Sequence, residues 1–153
     1  AYALGFNAVY LNLAGREGQG IVQTDEAGIL VRTIATALEQ FVDSQQNLPP
    51  IKKAYSANEI YPGTSSLDQP DLIVGYARGY RASWETALGG VPAHNIELNK
   101  RKWSGDHCID SQEVPGIFLS SDAGLNANAL SEVGPSINHY LGKLQRARNP
   151  KNQ

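Results

Sequence analysis

Along Phe6-Asn7-Ala8-Val9-Tyr10-Leu11-Asn12-Leu13 the apolar positions Val9, Leu11 and Leu13 alternate with polar or smaller neighbours. A period of two predicts a strand with one buried face. The period then changes. Leu30, Ile34, Leu38 and Phe41 recur every three or four residues, which predicts a helix over residues 25–44. Thr24 is placed to cap it, and Asp25 and Glu26 in the first turn favour the positive end of the helix dipole. Gly28 weakens its start, and Leu48-Pro49-Pro50 stops any continuation.

Two extended segments follow at 51–55 and 71–76, separated by the turn-rich Tyr61-Pro62-Gly63-Thr64-Ser65-Ser66. Leu72-Ile73-Val74 is a continuous apolar run and predicts a strand buried on both faces. Residues 77–105 read as irregular, with Gly89-Gly90-Val91-Pro92 as a loop, and 116–120 reads as another buried strand. Leu130, Val133, Ile137, Tyr140 and Leu141 set a final amphipathic helix, capped by Ser131 and ended by Gly142. Pro135 falls near its first turn, where proline is tolerated. Strands alternating with helices predict an α/β layer, and no internal repeat is visible.

A chain of 153 residues, 41% hydrophobic, fits one domain with a core that needs no disulfide staples. Thirteen basic and fifteen acidic residues leave a formal charge of -2, so no global field draws the chain to nucleic acid or membranes. There is no nucleic-acid-binding motif, and no apolar run reaches the ~18–20 residues that span a bilayer. The lone Cys108 excludes an internal disulfide framework and a zinc site of several thiolates. Residues 143–153 carry Lys143, Arg146, Arg148 and Lys151 without an acid and read as a basic flexible tail. Gly15-Arg16-Glu17-Gly18-Gln19-Gly20 lacks the spacing and the terminal Lys-Ser/Thr of a phosphate cradle, and reads as a turn.

Of the three histidines, His94 lies in a loop and His139 in the last helix, both among ordinary neighbours. His107 is different. It stands in Trp103-Ser104-Gly105-Asp106-His107-Cys108-Ile109-Asp110, where Asp106, Cys108 and Asp110 offer further ligand types. Imidazole with carboxylates suits a divalent metal, although such neighbours also arise by chance. A Cys108–His107 nucleophile pair is the rival, and adjacent residues on an extended chain point to opposite faces. There is no Gly-x-Ser-x-Gly elbow and no His-x-x-x-His pair. From the residues alone the reading stops at a partial metal site.

Three stretches taken in order add to this. Ala1-Tyr2-Ala3-Leu4-Gly5-Phe6-Asn7-Ala8-Val9-Tyr10-Leu11-Asn12-Leu13 leads into Gly15-Arg16-Glu17. Asp71-Leu72-Ile73-Val74-Gly75 precedes Tyr80-Arg81-Ala82-Ser83-Trp84-Glu85-Thr86, and Lys102-Trp103-Ser104-Gly105-Asp106-His107-Cys108-Ile109-Asp110 completes the set. Together, over residues 1–142, they resemble the type I phosphodiesterase/nucleotide pyrophosphatase-like phosphohydrolases of the alkaline phosphatase superfamily. The resemblance implies a partial three-layer alkaline-phosphatase-like sandwich, its C-terminal portion. In that superfamily two divalent metal ions, commonly zinc, flank a Thr or Ser nucleophile and act on a phosphate-ester substrate. Gly105-Asp106-His107 is similar to the family's last Gly-x-His stretch, so the resemblance implies His107 as a metal ligand, with Asp106 and Asp110 orienting ligands or fixing the loop around it. Cys108 stands where nucleotide pyrophosphatases commonly have glycine, which leaves the substrate class open.

The sequence also departs from the pattern. It has no Asp-His-Gly motif and no Thr or Ser in the family's nucleophile context. It contains no Met and begins at Ala1. The expectation is therefore the C-terminal part of a longer hydrolase, with residues 1–142 in the catalytic domain. Ser131-Glu132-Val133-Gly134-Pro135-Ser136 resembles the helix that closes that domain. Alone, the chain is expected to be inactive, to bind metal weakly or not at all, and to self-associate through exposed sheet edges. A free-standing, non-catalytic binding or scaffold module is the alternative.

Overall fold

A computed structural model of the chain describes residues 1–63, 66, 68–103, 105 and 107–148, without the side chains of Ala87 and Arg148. The chain divides into two compact units, one up to Val114 and one from Pro115 onward. The first is a small α/β unit built on a four-stranded antiparallel sheet in the order β1-β2-β4-β3.

Gly5, at φ 72°, supplies the left-handed residue that folds β1 (Tyr2–Leu4) back on β2 (Ala8–Tyr10). Tyr2 and Tyr10 face each other across the ladder, with their rings stacked 5.5 Å apart. The alternating segment is thus strand only at its centre. Beyond Tyr10 the Leu11 N–H is bonded by the Asp71 carboxylate at 2.7 Å, and Leu11 itself is fully buried.

α1 (Thr24–Gln40) starts one residue before the expected point, and its cap is Gln23 rather than Thr24. The Gln23 N–H donates to the Glu26 carboxylate. The helix stops short of residue 44 because Asp43 offers the backbone another partner. Its Oδ1 accepts from the Gln45 N–H at 2.8 Å and its Oδ2 from the Tyr80 hydroxyl at 2.9 Å, while Asn47 closes the turn at φ 54°.

β3 (Ile51–Ser56) runs directly into the single turn α2 (Ala57–Ile60). β4 (Leu72–Tyr76) lies between β2 and β3, which explains its apolar run: Leu72, Val74 and Gly75 are buried and Ile73 is partly so. α1 packs against β3. Along the outer side of that strand the Ala54 N–H donates to Glu39 on α1 at 3.0 Å, and the Ser56 N–H to Glu59 on α2 at 2.7 Å. The stretch expected to be irregular holds one further turn of helix, α3 (Trp84–Ala87), with the Ser83 hydroxyl accepting from the Glu85 N–H.

In the second unit, 116–120 is not a strand. Ile117 and Leu119 are 85% and 87% exposed, and no strand pairs with the segment among the described residues. An apolar run becomes a buried strand only where a neighbour completes its ladder. α4 (Leu130–Arg148) begins with the Asn128 N–H bonded to Glu132, so Ser131 lies inside the helix. It also passes through Gly142, because Leu144 carries the apolar stripe one turn further. Lys143 and Arg146 of the expected tail are therefore helical, and residues 149–153 lie outside those described.

Candidate functional site

The cluster containing His107 forms where β4 loses one neighbour and gains another. Every second N–H of β4 points to the same side. On that side Val74 donates to the Asn7 carbonyl at 2.8 Å, but the chain turns away at Gly5 before reaching Tyr76. Segment 108–110 takes the vacated position as a parallel bridge: the Tyr76 N–H donates to the Cys108 carbonyl at 3.2 Å, and the Asp110 N–H to the Tyr76 carbonyl at 2.9 Å.

Asp110 is 2% exposed and fully partnered. Its Oδ2 accepts from the Tyr55 hydroxyl at 2.7 Å and its Oδ1 from the Gln112 N–H at 2.9 Å. The close approach depends on Gly75, since a Cβ there would overlap the Asp110 carboxylate. Burial, followed by the hydrogen bond to Asp110, pushes the Tyr55 hydroxyl up to about 12. A cleft of about 180 Å³ is lined by Asn7, Tyr55, Gly75, His107, Cys108 and Asp110 among others. His107 is exposed and Cys108 half-buried.

The loop is held on the other side of His107 as well. The Arg81 guanidinium donates to the carbonyls of Trp103 and Gly105 at 3.2 and 3.0 Å, and the Asn99 amide donates to the Trp103 carbonyl at 2.8 Å. Arg81 sits 5.3 Å from the centre of the Trp84 ring, which meets Phe6 edge-on at 5.6 Å. The imidazole is therefore carried on backbone pinned two residues before it and one residue after it. Asp110 does fix the loop; Asp106, expected to help, lies outside the described residues. His94 is exposed in the irregular stretch, and His139 is exposed on α4.

The Gly15-Arg16-Glu17-Gly18 turn forms a second polar cluster, and it is a clamp. Arg16 donates to Asp71 Oδ2 and to the Leu11 carbonyl, both at 2.7 Å, and to Glu17 at 2.8 Å, while lying 5.6 Å from the centre of the Tyr10 ring. Its bond to Asp71 holds the guanidinium protonated well above its ordinary range. Burial works to raise the Glu17 carboxyl, but hydrogen bonds from Arg16 and Tyr2 outweigh it and keep that group below its ordinary value. Arg16 is thus engaged within the turn and by Asp71.

Tyr55, Gly75 and Arg81 were not singled out by sequence pattern. Gly75, interrupting an apolar strand, was the one available signal of a close approach. Among the described residues no three His, Cys, Asp or Glu side chains gather as a metal-binding group.

Fold and cluster together define a small α/β protein with an antiparallel sheet and a pinned, histidine-bearing loop beside its central strand. The chain matches no protein-family model, no curated protein and no solved structure.

Proposed function

We propose that the chain is the C-terminal part of the catalytic domain of a metal-dependent phosphohydrolase acting on phosphodiesters or related phosphate esters, with His107 as one metal ligand. The observation that carries this reading is the anchoring of the His107 loop. Arg81 and Asn99 hold it upstream, and the Tyr76 bridge with the buried Asp110 holds it downstream, leaving an exposed imidazole on a cleft. Such support is what a metal ligand needs to keep its direction. Gly105-Asp106-His107 stands where the resemblance expects the last Gly-x-His stretch, which supports the same reading.

The finer architecture belongs to the same proposal: this α/β unit is a portion of a three-layer alkaline-phosphatase-like sandwich. Large apolar side chains such as Leu4 and Ile29, 60% and 63% exposed, are ones that further layers would cover. The nucleophile and the other ligands of the two divalent ions come from residues outside these 153, and the chain alone is inactive.

The reading frame is the first test. An Asp-His-Gly motif and a Thr or Ser nucleophile encoded upstream support the proposal; a frame that starts at this chain overturns it. Zinc and manganese titration calorimetry on the chain, beside His107→Ala, is the second. Weak binding is expected. Tight stoichiometric binding lost in the variant would show a self-sufficient metal site and favour a free-standing binding module.

A further inference from the structure

We infer that residues 88–103 form a docking surface for an anionic lipid bilayer. Within this one stretch Leu88, Val91, Leu98 and Trp103 are 87%, 96%, 79% and 77% exposed. Single exposed apolar side chains are ordinary, but four this bare within sixteen consecutive positions are not. Lys100-Arg101-Lys102 lies among them, with all three residues exposed, and none of the three takes part in an ion pair among the described residues. The chain as a whole is slightly acidic, so this is a local concentration of positive charge.

The backbone of the basic tip is hydrogen-bonded on both sides. The Asn99 side chain accepts from the Arg101 N–H at 3.0 Å and donates to the Trp103 carbonyl at 2.8 Å, and Arg81 donates to the same carbonyl. The backbone is held while the indole and the three cations face solvent. Less entropy is then lost on docking than from a flexible tail.

The chemistry selects the partner. Indole settles at the level of lipid headgroups, with its ring among the first methylenes and its N–H still hydrated. Lys and Arg beside it are drawn to phosphatidylserine or phosphoinositide headgroups, and exposed aliphatic side chains add apolar area for the acyl boundary. No helix of the described residues is long and apolar enough to cross a membrane, so the contact is peripheral. It does not use His107, and it stands or falls separately from the phosphohydrolase reading.

The test is co-sedimentation of the chain with vesicles of 30% phosphatidylserine in phosphatidylcholine, and of phosphatidylcholine alone, at low and physiological salt. Binding to the anionic vesicles is expected, falling as salt rises, with a blue shift of tryptophan emission that disappears in Trp103→Phe. Replacing Lys100, Arg101 and Lys102 together by Gln is expected to weaken binding on the order of 100-fold, from about fivefold for each cation near the surface. The corresponding Lys→Arg changes at 100 and 102 should keep it. Equal binding to both vesicle types, or an unaltered affinity in the triple Gln variant, would overturn the inference. Preference for a single-stranded oligonucleotide over the anionic vesicles at the same salt would also overturn it, in favour of a nucleic-acid surface.

Discussion

Gly75→Ala is the most revealing single substitution in the first unit. The new methyl group would be built into the Asp110 carboxylate, which cannot step aside cheaply. That side chain is 2% exposed and is held by the Tyr55 hydroxyl, the Gln112 N–H and its own backbone bond to Tyr76. Forcing a methyl group into a packed site costs about 1–3 kcal/mol. Losing the charge-assisted bond from Tyr55 adds about 1.5–3 kcal/mol. A destabilisation of about 2.5–6 kcal/mol is therefore expected in urea unfolding, much of what a small domain has. Gly105→Ala is the control, because nothing lies near its Cβ position. A second readout is spectroscopic. Tyr55, held up to about 12, should titrate closer to the ordinary value of 10.0 in any folded Gly75→Ala population, as followed by tyrosinate absorbance. An unchanged urea midpoint, with Tyr55 still titrating near its wild-type value, would show that Asp110 does not occupy this position and would refute the reasoning.

Asp71→Ala removes the acceptor shared by Arg16 and the Leu11 N–H, at a site where both charged side chains are mostly buried (13% and 16% exposed). A loss of about 3 kcal/mol is expected in the same unfolding assay, with Asp71→Asn losing less because an oxygen remains to accept from Leu11. Acid should destabilise the fold through Asp43, held low by the Gln45 N–H and the Tyr80 hydroxyl, and through Glu59, held low by the Ser56 N–H and hydroxyl. Both carboxyls sit below their unfolded values of 3.8 and 4.5, so the unfolded chain binds protons first. Their contribution is complete above that range and is lost as pH falls through the lower, folded values, which thermal melts between pH 6 and pH 2 would follow.

The elements that sequence pattern located best are those whose periodicity is set by burial. α1 shows its stripe because Leu30, Ile34 and Leu38 are among its half-buried positions on a helix that packs against β3, and β4 shows its continuous run because it lies inside the sheet. β1 was illegible as a strand: three residues are too few for a period, and Tyr2–Leu4 becomes a strand only through Gly5 and the ladder with β2. Segment 116–120 misled in the opposite sense, since its Ile117 and Leu119 have the right composition but no paired strand among the described residues. In the candidate site, His107 and Asp110 were visible from residue type as ligand types, and the loop-fixing role of Asp110 came from the resemblance. Tyr55 was not, because 55 residues separate it from Asp110 and no local pattern announces a bond across that distance.

The carboxylates of Glu39 and Glu59, bound to outward N–H groups of β3, give the sheet a polarity. One margin is sealed by side chains of the chain itself, and the other ends in β1, whose three residues are all exposed. Among the described residues β1 is then the strand open to addition. Two molecules joined through that strand, each with its far margin sealed, would leave no strand to receive a third. Were two chains to pair through their sheets, the pairing would stop at the dimer, and the same two glutamates that steady β3 would oppose open-ended fibre growth.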